Sequence, residues 1–266
     1  MIPGLGAALQ VEALLLRRSV VLWIALPVLA GLVPGGSFGA VALARSGYGD
    51  GAAAAKLAPY AAGEPGTTVM VALAQILSVA VLTAGGFATA WAFGQPFADG
   101  TAGASFGLTV PRTTIALARC LALVATLATA VLAATLVGLA LAALGGAILP
   151  EGPPSTGPGL GRATFTALTA GLLGIGLALP LAWVATVTRS AFGTIGVLVA
   201  LIATTQVIVL LGAGSWFPYA ASSLWTGMGG TEAASAVGLP QLALTAAVGP
   251  TAVVAVVHAW RHLTDV

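Results

Sequence analysis

Six apolar runs, each long enough to cross a bilayer, govern what this chain can fold into. They fall at roughly 19–42, 67–93, 113–148, 162–187, 191–212 and 239–260, and about 20 such residues span a hydrocarbon core. In lipid a backbone must satisfy its polar groups within the spanning structure, so continuous runs of this length predict helices. A β-barrel would show alternating segments of roughly ten residues instead. Only 6% of the 266 residues are charged, against about 25% in a soluble domain. The mean hydropathy of +1.06 agrees. Ala and Gly supply much of the apolar content, and small side chains let helix backbones approach closely in lipid. The expected fold is an all-α membrane protein, a single domain over 1–266 with six transmembrane helices.

Residues 4–17 (GLGAALQVEALLLR) precede the first run. They predict a short interfacial helix with Leu5, Leu9 and Leu16 toward lipid and Gln10, Glu12 and Arg17 toward water. A plain extension of span 1 is the other reading. No short apolar region with a cleavage site is evident, so a removable signal peptide is not expected.

Orientation follows from the asymmetry of Lys and Arg. With both termini cytoplasmic, Arg17, Arg18, Arg112, Arg119, Arg189 and Arg261 lie inside. Arg45, Lys56 and Arg162 then lie outside, with Asp50, Glu64, Glu151 and Glu232. Trp23, Trp91, Trp183 and Trp260 fall at inner span ends, and Trp216, Trp225, Tyr48, Tyr60 and Tyr219 fall outside. Both placements suit the interfacial preference of aromatic rings. Outside, 43–66 is a charged loop and 150–161 a Pro/Gly-rich linker, while the aromatic-rich 213–238 predicts segments dipping into the interface. Inside, Arg189-Ser190 makes a minimal turn, and 94–112 is the one long connection.

A phosphate-binding loop of the form G-x-x-x-x-G-K-[ST] needs a Lys after Gly. Lys56 is the sole lysine, and Ala55 stands in the Gly position. The chain therefore offers no site for ATP hydrolysis. Cys120, its one cysteine, excludes an intrachain disulfide or a cysteine-based metal site, and packing is its expected role. His258 and His262 lie one turn apart with Asp265 as the nearest carboxylate, and they read as interfacial polar groups flanking Arg261. Every Asp and Glu falls in a predicted loop or terminus, which argues against an intramembrane proton relay. No catalytic residue, metal ligand or cofactor is assigned to the chain.

Polar and small residues within the spans are ordered. Gln75, Ser78, Leu82, Gly85 and Thr89 share one face of span 2, by the 3-and-4 spacing of a helix. Gly193, Gly196, Ala200 and Thr204 form a small-residue stripe on span 5. At 1.5 Å per residue, Gln75 and Gln206 lie roughly 9–12 Å below the outer end of their spans. Two readings follow. Spans 2 and 5 face a shared path with these amides near its outer mouth, or the groups make interhelical hydrogen bonds of about 1 kcal/mol or less each. Pro180 should kink span 4.

The stretch FADGTAGASFGLTVPRTTIALAR, 97–119, interrupts this apolar pattern. Asp99-Gly100-Thr101 lies ten residues before Pro111-Arg112, which opens a long helix. This is similar to the cytoplasmic loop of ABC-2-type transporter permeases, although Asp99 stands where Glu is usual and the Arg directly follows the Pro. The six-span layout, the N-terminal surface helix and the aromatic segment between spans 5 and 6 resemble that family too. The resemblance implies the permease subunit of an ATP-driven exporter in the bacterial cell membrane. Its substrate would be hydrophobic or amphipathic: a drug, natural product, peptide or lipid. ATP and Mg would sit on separate ATP-binding cassette ATPase subunits. A second permease chain, identical or related, would pair with it in a bed of membrane lipid, with no nucleic acid involved.

Within that resemblance, 94–108 would be the coupling helix. Phe97, Asp99, Gly100, Thr101, Phe106, Pro111 and Arg112 would contact the ATPase, with Phe97 and Phe106 as apolar anchors. Gln75, Ser78, Leu82, Thr89, Ala200, Thr204 and Gln206 would line the path at the permease interface. Pro111 suits a helix N-terminus, and Arg112 and Arg119, two turns apart, are expected to snorkel to the inner interface. A stand-alone channel or facilitator, or a membrane-embedded enzyme, are the rival classes.

Overall fold

The computed structural model describes residues 4–47, 51–103, 110–154 and 157–263, excepting the side chains of 52–54. Ten α-helices are described: α1 Leu5–Arg17, α2 Val20–Arg45, α3 Ala52–Leu57, α4 Pro65–Ala98, α5 Arg112–Ile148, α6 Leu160–Thr188, α7 Ala191–Leu210, α8 Pro218–Trp225, α9 Gly230–Ser235 and α10 Leu239–Arg261. No strand occurs among the described residues. Six of these helices, α2, α4, α5, α6, α7 and α10, are long and apolar enough to cross a membrane. Each expected apolar run coincides with one of these helices, whose ends differ from it by a few residues.

The largest shift is at α4, which runs to Ala98 and so takes Gly94 to Ala98 out of the expected 94–112 loop. Pro96 does not stop the helix. Prolines leave their mark elsewhere. A π-helical stretch, Val28–Leu32, follows Pro27 and precedes Pro34 in α2, a widening of the ladder that proline neighbours commonly impose. In α6 the helical hydrogen bonds are interrupted between Ala178 and Pro180, where a kink is expected. The α6–α7 turn is as short as its residues suggest. Arg189 adopts a left-handed conformation (φ 52°, ψ 29°) and the Ser190 hydroxyl caps α7 by accepting from Gly193 N–H at 3.0 Å.

The bundle is organised around α4, which packs against α2, α5, α6 and α7 and is the most buried of the six. Leu73, Leu77 and Val81 of α4 meet Leu127, Val131 and Ala134 of α5 in the main core. Glycine lets helices touch at their backbones. A Cβ on Gly94 would overlap the amide of Ala191, so the end of α4 lies directly on the start of α7. One end of the bundle gathers α1, the α4–α5 and α6–α7 connections and the end of α10. Here it is termed the α1 face. The opposite face carries α3, residues 150–154 and 157–159 of the linker, and helices α8 and α9.

Arg45 organises that opposite face. Its guanidinium donates to the carbonyls of Pro150 (2.6 Å), Ala62 (3.2 Å) and Gly63 (2.9 Å) and to the Thr68 hydroxyl (3.2 Å). One side chain thereby ties the end of α2 to both neighbouring connections. The 213–238 segment folds into short helices over this face, with Ala220, Ala221, Leu224 and Val237 in a small core of their own.

Candidate functional site

The α1 face holds the polar features that the sequence singles out. Asp99, Gly100 and Thr101 are exposed at the tip of α4, and Phe97 is half-buried. Their local geometry is that of a helix stop. Asp99 accepts from the Gln95 side chain at 2.7 Å, one turn earlier. Gly100, at φ 68°, donates its N–H to the Phe97 carbonyl at 3.3 Å, and glycine takes such a left-handed capping position at little cost. The Thr101 hydroxyl donates back to Pro96 at 3.4 Å. The triplet thus ends the longest-buried helix and leaves an acidic, hydrogen-bonding knob facing outward. Phe106 lies outside the described residues, so its expected anchor role has no placement.

Pro111 stands at the N-cap position of α5, one residue before the first turn and without a side-chain cap. Arg112, beginning that helix, donates to the carbonyl of Leu263 beyond α10. The connection is therefore clamped at both ends, to α4 by a cap and to the end of α10 by a guanidinium.

Arg119 departs from expectation. It does not snorkel to the interface, and Glu12 does not face water. Their side chains are 5% and 6% exposed and form a two-pronged ion pair, Nε to Oε2 and Nη2 to Oε1, both at 2.9 Å. Arg119 Nη1 also donates to the Ala92 carbonyl of α4 at 3.1 Å. The guanidinium lies 5.6 Å from the Phe93 ring centroid and 5.3 Å from that of Trp260, within the range of a cation–π contact. Trp260, expected at the lipid interface, is instead buried and donates its indole N–H to Thr186 at 3.0 Å. Five helices, α1, α4, α5, α6 and α10, meet in this network. The physical reason is that a buried charge demands a partner. An amphipathic reading of α1 alone supplies water for Glu12, whereas α5 supplies an arginine. Leu16 likewise turns inward, into the core beside Leu22 and Leu123.

The expected path residues separate into two groups. On α4, Ser78, Leu82 and Thr89 are buried within the bundle. The Ser78 hydroxyl donates to its own helix at the Gln75 carbonyl, and Thr89 Oγ1 is buried without a described hydrogen-bond partner. Gln75 is a bridge between elements: Oε1 accepts from the Tyr60 hydroxyl at 2.5 Å and Nε2 donates to the Thr226 carbonyl at 3.4 Å. It ties α4 to the loop after α3 and to the end of α8, matching the hydrogen-bonding reading of that amide. On α7, by contrast, Gly193, Gly196, Ala200, Thr204 and Gln206 are all exposed. The helix uses its other side, Ala191, Thr194, Leu198 and Thr205, against the bundle, with Leu198 at Gly86. The two stripes thus do not face each other within one chain.

Among the described residues no group of three His, Cys, Asp or Glu side chains converges to hold a metal. The rings of His258 and His262 lie 4.7 Å apart, tilted by 59°, while Asp265 lies outside the described residues. The sequence gives no hint of the Glu12–Arg119 network beyond two unlike charges in apolar surroundings. Compared with known proteins, the chain matches no family model and no curated protein.

Proposed function

We propose that this chain is the permease subunit of an ABC-2-type exporter, set in the bacterial cell membrane and driven by separate ATP-binding cassette subunits that carry ATP and Mg. The observation that carries this reading is the exposed Asp99-Gly100-Thr101 tip on α4. That helix packs against four other spans, so force applied at its tip reaches most of the bundle. A coupling element needs this combination: an accessible docking surface rigidly joined to the moving part. The clamp of Arg112 on Leu263 and the contact of Gly94 with Ala191 support it, since both tie neighbouring helices to the same corner. The absence of a phosphate-binding loop in the sequence accords with an ATPase on another chain.

The exposed small-residue stripe of α7 supports a second permease chain. Gly193, Gly196, Ala200 and Thr204 leave a smooth helix face, and such faces associate in lipid by close van der Waals packing. A path for a hydrophobic or amphipathic substrate would then lie between two copies, with α7 of each beside it.

The test is co-expression with a candidate ATPase. Changing Phe97→Ala together with Asp99→Ala should abolish co-purification and substrate-stimulated ATP hydrolysis while the chain still melts as a folded protein. Persistence of both at the unmodified level refutes the coupling assignment.

A further inference from the structure

A groove of about 390 Å³ lies between α1, the start of α2 and the middle of α5. Its walls are Ala13, Leu16, Leu22, Leu26 and Ala125, joined by Thr126 and Thr129. Both threonine hydroxyls already donate to their own helix, at the carbonyls of Ala122 and Ala125 (2.8 Å each). The slot therefore offers a mainly apolar surface. Its rim is different. Arg17 lines the mouth, Arg18 follows it, and both are exposed. The one acid of α1, Glu12, is turned away and already paired with Arg119, so it does not neutralise this rim. The last carbonyls of α1 are also occupied, since Leu15 and Leu16 accept from the N–H groups of Arg18 and Ser19. Trp23 stands beside the mouth, 70% exposed, with its indole N–H on the Arg17 carbonyl at 2.7 Å.

With 37 residues, α5 is about 55 Å long, against a hydrocarbon core of about 30 Å. It is therefore longer than the core, and one or both of its ends extend beyond it. Trp23, exposed beside the mouth of the groove, is a residue type that collects at the membrane interface.

We propose that this groove binds an acidic phospholipid, its phosphate held by Arg17 and one acyl chain lying between α2 and α5. The occupant needs an apolar tail parallel to the spans and an anionic group at the level of the guanidinium. Membrane lipid is the molecule present in bulk beside this surface, and charge complementarity selects the acidic kind. Arg17 supplies a planar donor set that matches a phosphate. The assignment requires only that the six apolar helices lie in a bilayer. It stands or falls separately from any ATPase docking.

The test uses the full chain in phosphatidylcholine vesicles containing either brominated phosphatidylglycerol or brominated phosphatidylcholine. Bromines on the acyl chains quench nearby tryptophan, and subtracting the Trp23→Phe signal isolates Trp23. The acidic lipid should quench Trp23 at about fivefold lower mole fraction, the effect of roughly one basic contact at a membrane surface. Arg17→Gln should abolish that preference and Arg17→Lys should retain most of it. Ala125→Phe, which fills the slot, should weaken quenching by both lipids. Equal quenching by the two lipids in the unmodified chain overturns the proposal, as does a preference that survives Arg17→Gln. Loss of preference in Arg18→Gln alone moves the phosphate off Arg17 and overturns the assignment of that residue.

Discussion

Glu12 and Arg119 are 107 positions apart in the chain and meet in a buried, two-pronged ion pair at 2.9 Å. Removing either partner leaves an uncompensated charge, which costs about 3–5 kcal/mol in buried pairs. Replacing both with apolar residues of similar volume removes the charge and the need for it, and is often near neutral. Glu12→Leu and Arg119→Met should each lower the melting temperature sharply in detergent, and the double variant should recover most of the loss. Additive losses in the double variant would show that the pair does not act as a unit.

Gly94 marks the closest approach of α4 to α7. A methyl group there would meet the backbone of Ser190 and Ala191, with the Cα of Ala191 at 2.7 Å. Backbone cannot move aside as a flexible side chain can, so Gly94→Ala should destabilise by about 1–3 kcal/mol, the usual range for overpacking. Gly36→Ala in α2 provides the contrast, because nothing lies within 4 Å of its added carbon. Alanine is favoured over glycine in a helix by about 1 kcal/mol. Thermal unfolding of the two variants should therefore move in opposite directions.

Gly196 tests the second copy. A bulky side chain in the middle of the exposed α7 stripe blocks close helix contact without touching the chain's own core. Gly196→Leu should shift the purified protein from dimer to monomer in size-exclusion light scattering, with unfolding of the monomer little changed. A dimer of undiminished stability would place the partner elsewhere.

Glu64 provides a pH dependence on the opposite face. Burial would raise its carboxyl, but hydrogen bonds from Thr67 and Gly66 and the charge of Arg45 outweigh that and hold it below the ordinary carboxylate range. The unfolded chain binds the proton more readily, so this contribution to stability is present above the unfolded value and lost as pH falls through the folded one. The melting temperature should decline as pH falls through and below the ordinary carboxylate range, and Glu64→Gln, which cannot titrate, should flatten that part of the profile. The same decline in the variant would assign it to other groups.

Orientation can be read by thiol labelling. Cys120 is buried, so its background reaction with a membrane-impermeant reagent should be low. A cysteine at Ala55 should label from outside intact cells, and one at Gly103 or Arg189 should not. Labelling at Gly103 would invert the arrangement drawn from the arginines.

What the sequence determined is the part of the fold that depends on local sums. Whether 20 residues prefer lipid is settled by their own side chains, so the six long apolar helices, the α1 helix, the Arg189-Ser190 turn and the short segments of 213–238 were legible. The polar interruption at Asp99-Gly100-Thr101 was legible as well, but the end of α4 was not: the helix runs past the expected end at 93 to Ala98. What only the tertiary structure decided is which partner each polar group meets. Glu12 and Arg17 both look like water-facing residues on α1. One is buried because α5 brings Arg119 to it, and the other is left at the mouth of a groove. Gln75 reads equally well as a pore amide or a tether until Tyr60 and Thr226 are seen on either side of it. Hydropathy adds up along the chain, whereas the pairing of charges and amides depends on residues far away in sequence, and only packing brings those together.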